Sequence, residues 1–254
     1  MIKRILKIAG ILTLLALAGL LITGWMLHEP RPSGQAGPEA EAMARNMQTA
    51  INLAAWDTTH LVRWNFDDRH HLLWDRQRNW VQVQWRDNRV LVILDKVEGL
   101  AWKNGKAVNG AMADKLVQKA WAIFCNDSYW LNAPAKAYDP GTSRETVTLE
   151  GKSGLLVSYA SGGVTPGDAY WWELAADGTP THWKMWVSIL PVGGIRVSWD
   201  DWVTLPTGAR IATTHHFGDK FTTHIKDLQS AQSWEEWGLT EDPFAPIEML
   251  VSAQ

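Results

Sequence analysis

The sequence predicts an α+β protein: an N-terminal transmembrane helix, then one strongly curled antiparallel sheet, an incomplete β-barrel of roughly eleven strands closed by a helical lid. Three observations predict it. Residues 8–27, "IAGILTLLALAGLLITGWML", form a run of uncharged, largely apolar residues about long enough to cross the hydrocarbon core. From residue 61 onward, apolar and polar residues alternate with period two in many short segments separated by Asp, Asn and Gly, which marks half-buried antiparallel strands. Two amphipathic stretches of helical period, 38–56 and 110–131, interrupt that alternation.

Lys3, Arg4 and Lys7 precede the apolar run and should stay cytoplasmic, placing everything after His28 across the membrane. Ala16-Leu17-Ala18 offers the alternative of a cleaved signal peptide. Cutting there leaves "GLLITGWML" exposed, which favours an uncleaved anchor over residues 1–27. Residues 28–38, within "HEPRPSGQAGPE", read as a short polar linker. The domain then occupies residues 39–254. Its first helix carries Met43, Met47, Ile51 and Ala54 on one face. Val62, Trp64 and Phe66, then Val81, Val83 and Trp85, alternate with polar neighbours, and Asp87-Asn88 and Asn104-Gly105 read as hairpin turns. Met112, Leu116, Val117, Ala120, Trp121 and Phe124 define a second helix that ends near Asn126-Asp127, which would cap the break. Strands resume after residue 140. A turn at Asp177-Gly178 would pair Leu174 with Thr181 and Trp172 with Trp183, and Gly218-Asp219 would close the last hairpin.

Net charge is −3 with acidic and basic residues mixed, so no basic stripe exists to neutralise phosphates and nucleic acid is excluded as a partner. The single cysteine, Cys125, forbids an internal disulfide and reads as a buried, inert thiol. Tryptophan is the anomaly, 17 against 5 Phe and 4 Tyr. Trp64, Trp85, Trp172, Trp183 and Trp199 fall on the apolar side of their strands. With Phe66, Val83 and Met185 they form the candidate cavity set, because bulky indoles on one concave surface resist close interdigitation. Arg76, His70 and Trp130 are placed at the mouth, Arg76 to meet an anionic head group. The competing reading is that the indoles simply fill a thick core. Trp74, Trp171 and Trp186 point outward on the same scheme, beside Arg76, Glu173 and Lys184.

Catalytic chemistry finds little support. His70-His71 and His215-His216 each send one ring to either face, so zinc would need His70, His215 and a carboxylate such as Asp75 or Asp127 to converge. No HExxH or G-x-S-x-G occurs, and "SGGVTPGD" lacks the Lys-Ser/Thr of a phosphate loop. No catalytic residue, metal ligand or cofactor is assigned. Asp75 and Arg76 read as a strand-end ion pair.

The order of helix, antiparallel meander, helical interruption and second antiparallel block over residues 38–230 resembles the periplasmic lipoprotein carrier and receptor family, the Lol-type folds. "HHLLWDR", "NDSYWLNAPAKAYDPGT" and "GVTPGDAYWWELAADGTPTHWKMWVSILPVGG" are similar to stretches of bacterial envelope proteins, a likeness that implies a fold and no activity. The Lol resemblance implies an incomplete barrel with a helical lid over an aromatic cavity for acyl chains, here a Lol-like half-barrel. The chain lacks the receptor's lipid-bearing cysteine and, unlike the soluble carrier, keeps its apolar N-terminus. The resulting expectation is non-catalytic binding of a lipid or lipoprotein acyl chain by a single-pass inner-membrane protein with a periplasmic domain, or a secreted one after signal cleavage. An envelope scaffold docking protein partners through Trp74, Trp171 and Trp186, and a metal-dependent hydrolase, are the alternatives.

Overall fold

The computed structural model describes residues 26–252 together with residues 13, 19 and 24. The expected transmembrane segment therefore lies largely outside the described residues; among these, no helix is long and apolar enough to cross a membrane. The chain folds as α1 (Pro38–Ala50), α2 (Leu53–Asp57), six strands β1 (Leu61–Phe66), β2 (His70–Asp75), β3 (Trp80–Trp85), β4 (Asn88–Ile93), β5 (Glu98–Lys103) and β6 (Lys106–Val108), then α3 (Ala111–Asn132). The second block is β7 (Thr142–Leu149), β8 (Lys152–Tyr159), β9 (Ala169–Leu174), β10 (Pro180–Trp186), β11 (Ile195–Ser198), β12 (Asp200–Thr204), β13 (Arg210–Phe217) and β14 (Phe221–Ala231), followed by α4 (Ala245–Ser252).

The class is α+β as expected, but the strands divide into two antiparallel sheets in place of one strongly curled sheet. The larger has nine strands in the order β12-β13-β14-β1-β2-β3-β4-β5-β6, the smaller five in the order β11-β10-β9-β8-β7. No barrel closes. The division falls where "IRVSWDDWVTL" reads as one strand: β11 pairs with β10, β12 pairs with β13, and Trp199 alone stands between them. Asp201 takes a left-handed φ of 52°, a local break of the kind that redirects a strand.

Each sheet buries its inner face under a helix. Val62, Trp64, Phe66, Leu72, Val81, Val83, Trp85, Val90 and Val92 form one core with Val117, Ala120, Phe124 and Leu131 of α3. Ala40, Ala44 and Met47 of α1 cover Leu155, Val157, Trp172, Trp183 and Val197 of the smaller sheet. Helix α3 runs without a break to Asn132, so Asn126 and Asp127 lie inside it and cap nothing. The first helix, by contrast, breaks at Ile51-Asn52, with Asn52 left-handed at φ 54°. The outer face of the larger sheet is also occupied, since Trp80, Leu91 and Ile93 pack on Phe244 and Ile247.

The turn at Asp177-Gly178 pairs Trp172 with Trp183 as expected, though an irregularity between Pro180 and His182 takes Thr181 out of register with Leu174. The β3–β4 turn is Arg86-Asp87, one residue earlier than expected.

Candidate functional site

The described residues enclose a cavity of about 570 Å³ between the C-terminal part of α3 and the inner face of the smaller sheet, within the usual size of small-molecule sites. Phe124, Cys125, Tyr129 and Trp130 of α3 form one wall; Tyr159, Tyr170, Trp183 and Met185 form the other. The mouth is made by two loops, residues 161–165 and 187–190. Val164, Ile189 and Leu190 of those loops are exposed, Ile189 to 70%.

Asp168 holds the two loops together. Its carboxylate accepts from the Thr165 hydroxyl at 2.5 Å and from the Ser188 N–H at 2.9 Å, and it is itself buried. Lys136 and Asp139, which also line the cavity, face one another at 3.3 Å.

Three of the four tyrosines meet here. The Tyr129 ring lies 5.6 Å from Tyr159 and 4.7 Å from Tyr170, and burial pushes all three phenols up, keeping them protonated. The Tyr129 and Tyr159 hydroxyls and the Trp183 indole N–H reach no partner in hydrogen-bond geometry. Cys125 lines the same space with its thiol pushed up to about 11 by burial, so it is not a nucleophile at neutral pH.

Of the expected cavity set, Trp183 and Met185 line this space, and Trp130 lies on its wall. Trp172 and Trp199 lie in the same core cluster but are fully packed, with Trp172, Trp183 and Trp199 forming a triangle of edge-on contacts at 5.0–5.1 Å. Trp64, Phe66, Val83 and Trp85 belong to the other core under α3. Solid packing by a helix is therefore their role.

The expected mouth residues also move. Arg76 is withdrawn between Trp56 and Trp74, 4.2 and 5.3 Å from their rings, and donates to the Thr59 carbonyl at 2.7 Å and to the Trp56 carbonyl. Burial lowers its pKa to about 10, still charged at neutral pH. Its expected ion-pair partner Asp75 instead binds Arg78 at 2.6 Å, and Arg78 continues to Asp242 at 2.5 Å. His70 pairs with the buried Asp127 on α3 at 2.7 Å, and burial raises the Asp127 pKa against that contact. His215 sits apart, between Trp130 and Trp199. Among the described residues no group of three metal-binding side chains converges.

Trp74, Trp171 and Trp186 are not exposed. Trp74 shares the inner face, 6.1 Å from Trp56 and 4.9 Å from Phe124, because its β1 partner is the inward Val62. Trp171 is buried beside Gly154, where a Cβ would come within 2.4 Å of its ring, and donates to the Val147 carbonyl at 3.0 Å. Trp186 donates to the Glu29 carbonyl at 2.8 Å. The scaffold reading loses its contact residues.

No protein-family model and no curated protein matches the sequence. Among solved structures, the chain is similar to the crystal structure of a DUF1329 family protein from Desulfovibrio piger, at 8% identity and a TM-score of 0.40, over 81% of this chain and 96% of that one.

Sequence reasoning missed Tyr129, Tyr159 and Tyr170. For Tyr170 a signal existed, since it shares strand parity with Trp172 and pairs with Met185. The mouth loops carry no such period; the pairing of Trp186 with Ala169 sets them side by side and Asp168 ties them.

Proposed function

We propose that this protein binds, without catalysis, the apolar chain of an amphiphile such as a fatty acid or a lipoprotein acyl group, in the cavity between α3 and the smaller sheet. One observation carries the reading: an aromatic-walled space of about 570 Å³ opens beneath loops that hold Ile189, Leu190 and Val164 in water, where contiguous apolar surface marks an interaction site. Lys136 of the cavity lining supplies the cation for a carboxylate or phosphate head group, the part first expected of Arg76. The buried phenols and the Trp183 N–H supply fixed dipoles around the chain. The Lol-type resemblance of the element order agrees with such a guest, and the uncharged run at residues 8–27 supports a single-pass inner-membrane protein with its domain in the periplasm.

Photolysis of the full chain with a diazirine-bearing palmitate tests it. Adducts should concentrate in residues 124–130, 159–170 and 183–190 and disappear when unlabelled palmitate competes. Labelling spread evenly over the surface, insensitive to competitor, would sink the proposal.

A further inference from the structure

Residues 28–38 are no free linker. Glu29 donates its N–H to the Gly193 carbonyl at 3.1 Å, and His28 Nδ1 accepts from the Gly193 N–H at 3.0 Å. Lys184, only 4% exposed, places its ammonium on Glu29 at 2.8 Å and Glu150 at 2.5 Å; a buried cation without such partners is costly. Farther along, Arg31 donates to the Ser158 hydroxyl at 2.5 Å, and Gln35 exchanges both backbone hydrogen bonds with Thr146, at 2.8 and 3.1 Å, covering the open edge of β7. The fit is close: a Cβ on Gly193 would lie 2.9 Å from the Glu29 carbonyl oxygen and 2.4 Å from the Trp186 ring.

This strap fixes where the apolar N-terminal run enters the domain. Gly194, next to the strap's contact, donates to the carbonyl of Met185 at 2.9 Å, and Met185 lines the cavity. Leu190 precedes Gly193 by three residues, at most about 11 Å of extended chain. Met26 and Leu27, the last residues of the uncharged run, are 73% and 62% exposed. Two apolar groups of different sequence origin thus lead away from the same contact at Gly193, Leu27 and Leu190 each lying within three residues of it on its own segment, and one of them is the end of a run long enough to span a bilayer.

We propose that Val164, Ile189 and Leu190, together with Met26 and Leu27, form a membrane-docking face, and that the strap of residues 28–35 holds the cavity mouth against the lipid surface. Its occupant is the bilayer. The proposal rests on the anchored part of the functional reading and is independent of whether the cavity takes a chain.

The test uses the full chain with Cys125→Ser in vesicles of phosphatidylethanolamine with a minor share of phosphatidylglycerol. An environment-sensitive fluorophore is attached at Ile189→Cys or, as control, at Lys106→Cys. Lys106 lies near the start of α3 and the cavity near its end, roughly 28 Å along the helix. Spin-labelled lipid should quench the Ile189 label several-fold more than the Lys106 label, and a His28→Ala/Glu29→Ala strap variant should bring the two together while circular dichroism shows the domain still folded at the measuring temperature, its thermal transition lowered by the loss of one of the two Lys184 partners. Equal quenching at both positions in the parent chain overturns the proposal, as do disulfide dimers formed when the unlabelled Ile189→Cys chain is treated with a mild oxidant, which would place a second copy over this face. Quenching without palmitate labelling keeps the docking face and removes the carrier reading; palmitate labelling without quenching does the reverse.

Discussion

His215 shows how a single side chain carries a pH signature. Its ring is fully buried between Trp130 and Trp199, 5.2 and 4.5 Å away, with Nδ1 3.2 Å from the Ser198 carbonyl. Burial lowers its pKa from 6.5 to about 4. Below 6.5 the unfolded chain takes up a proton that the folded one refuses, so stability is complete above 6.5 and falls as the pH drops toward 4, by up to about 3 kcal/mol. A His215→Gln variant, which keeps a donor for Ser198, should flatten that slope; urea midpoints at the two ends of the window that fall as far as in the parent would refute this. At this scale the sequence was readable where a short turn set the register, as for Trp172 opposite Trp183. It was unreadable where parity had no reference. Trp74 follows two adjacent histidines, and only its pairing with Val62 settles its face. Arg76 adjoins Asp75 in sequence, yet the turn brings Arg78 to that carboxylate, because adjacent strand residues face opposite ways.

Among the elements, the mouth loops depend on Asp168. Asp168→Ala removes the acceptor for the Thr165 hydroxyl and the Ser188 N–H and should cost about 2 kcal/mol. Hydrogen exchange should then accelerate in residues 161–167 and 187–190 before any other part of the smaller sheet; unchanged exchange there would show that the loops hold themselves. Neither loop announces its partner in the sequence. Both helices were legible from their 3.6-residue period, and the end of the second was misjudged because Asn126 and Asp127, usual helix breakers, are absorbed here by a hydrogen bond between them and by His70. The linker was misread for a related reason. Its Pro, Gly and polar composition is that of a tether, while the contacts that pin it come from Lys184, Gly193 and Thr146, more than a hundred residues away.

At the scale of the whole molecule, the C-terminal segment closes the outer face of the larger sheet. Phe244 is fully buried, tilted against Trp80 and Trp234 with ring centroids 6.2 and 5.9 Å away, and Arg78 clamps the neighbouring Asp242. Phe244→Ala should cost about 4 kcal/mol and bare Trp80 and Leu91 to solvent, visible as a lower denaturation midpoint with gained binding of a hydrophobic dye. A midpoint within error of the parent would mean that the tail is dispensable. The antiparallel character and most of the strands were legible from alternation, but the division into two sheets was not, since no Gly or Pro marks the point near Trp199 where the chain passes from one to the other. That single-residue passage has an optical consequence. Trp199, Trp172 and Trp183 sit close enough, at 5.0–5.1 Å, for their excited states to mix, so the strong far-ultraviolet indole transition should appear in the circular dichroism as a couplet of opposite signs. Anything that slides the two sheets by a fraction of an ångström would alter its sign or strength, giving the molecule a built-in spectroscopic strain gauge at the seam.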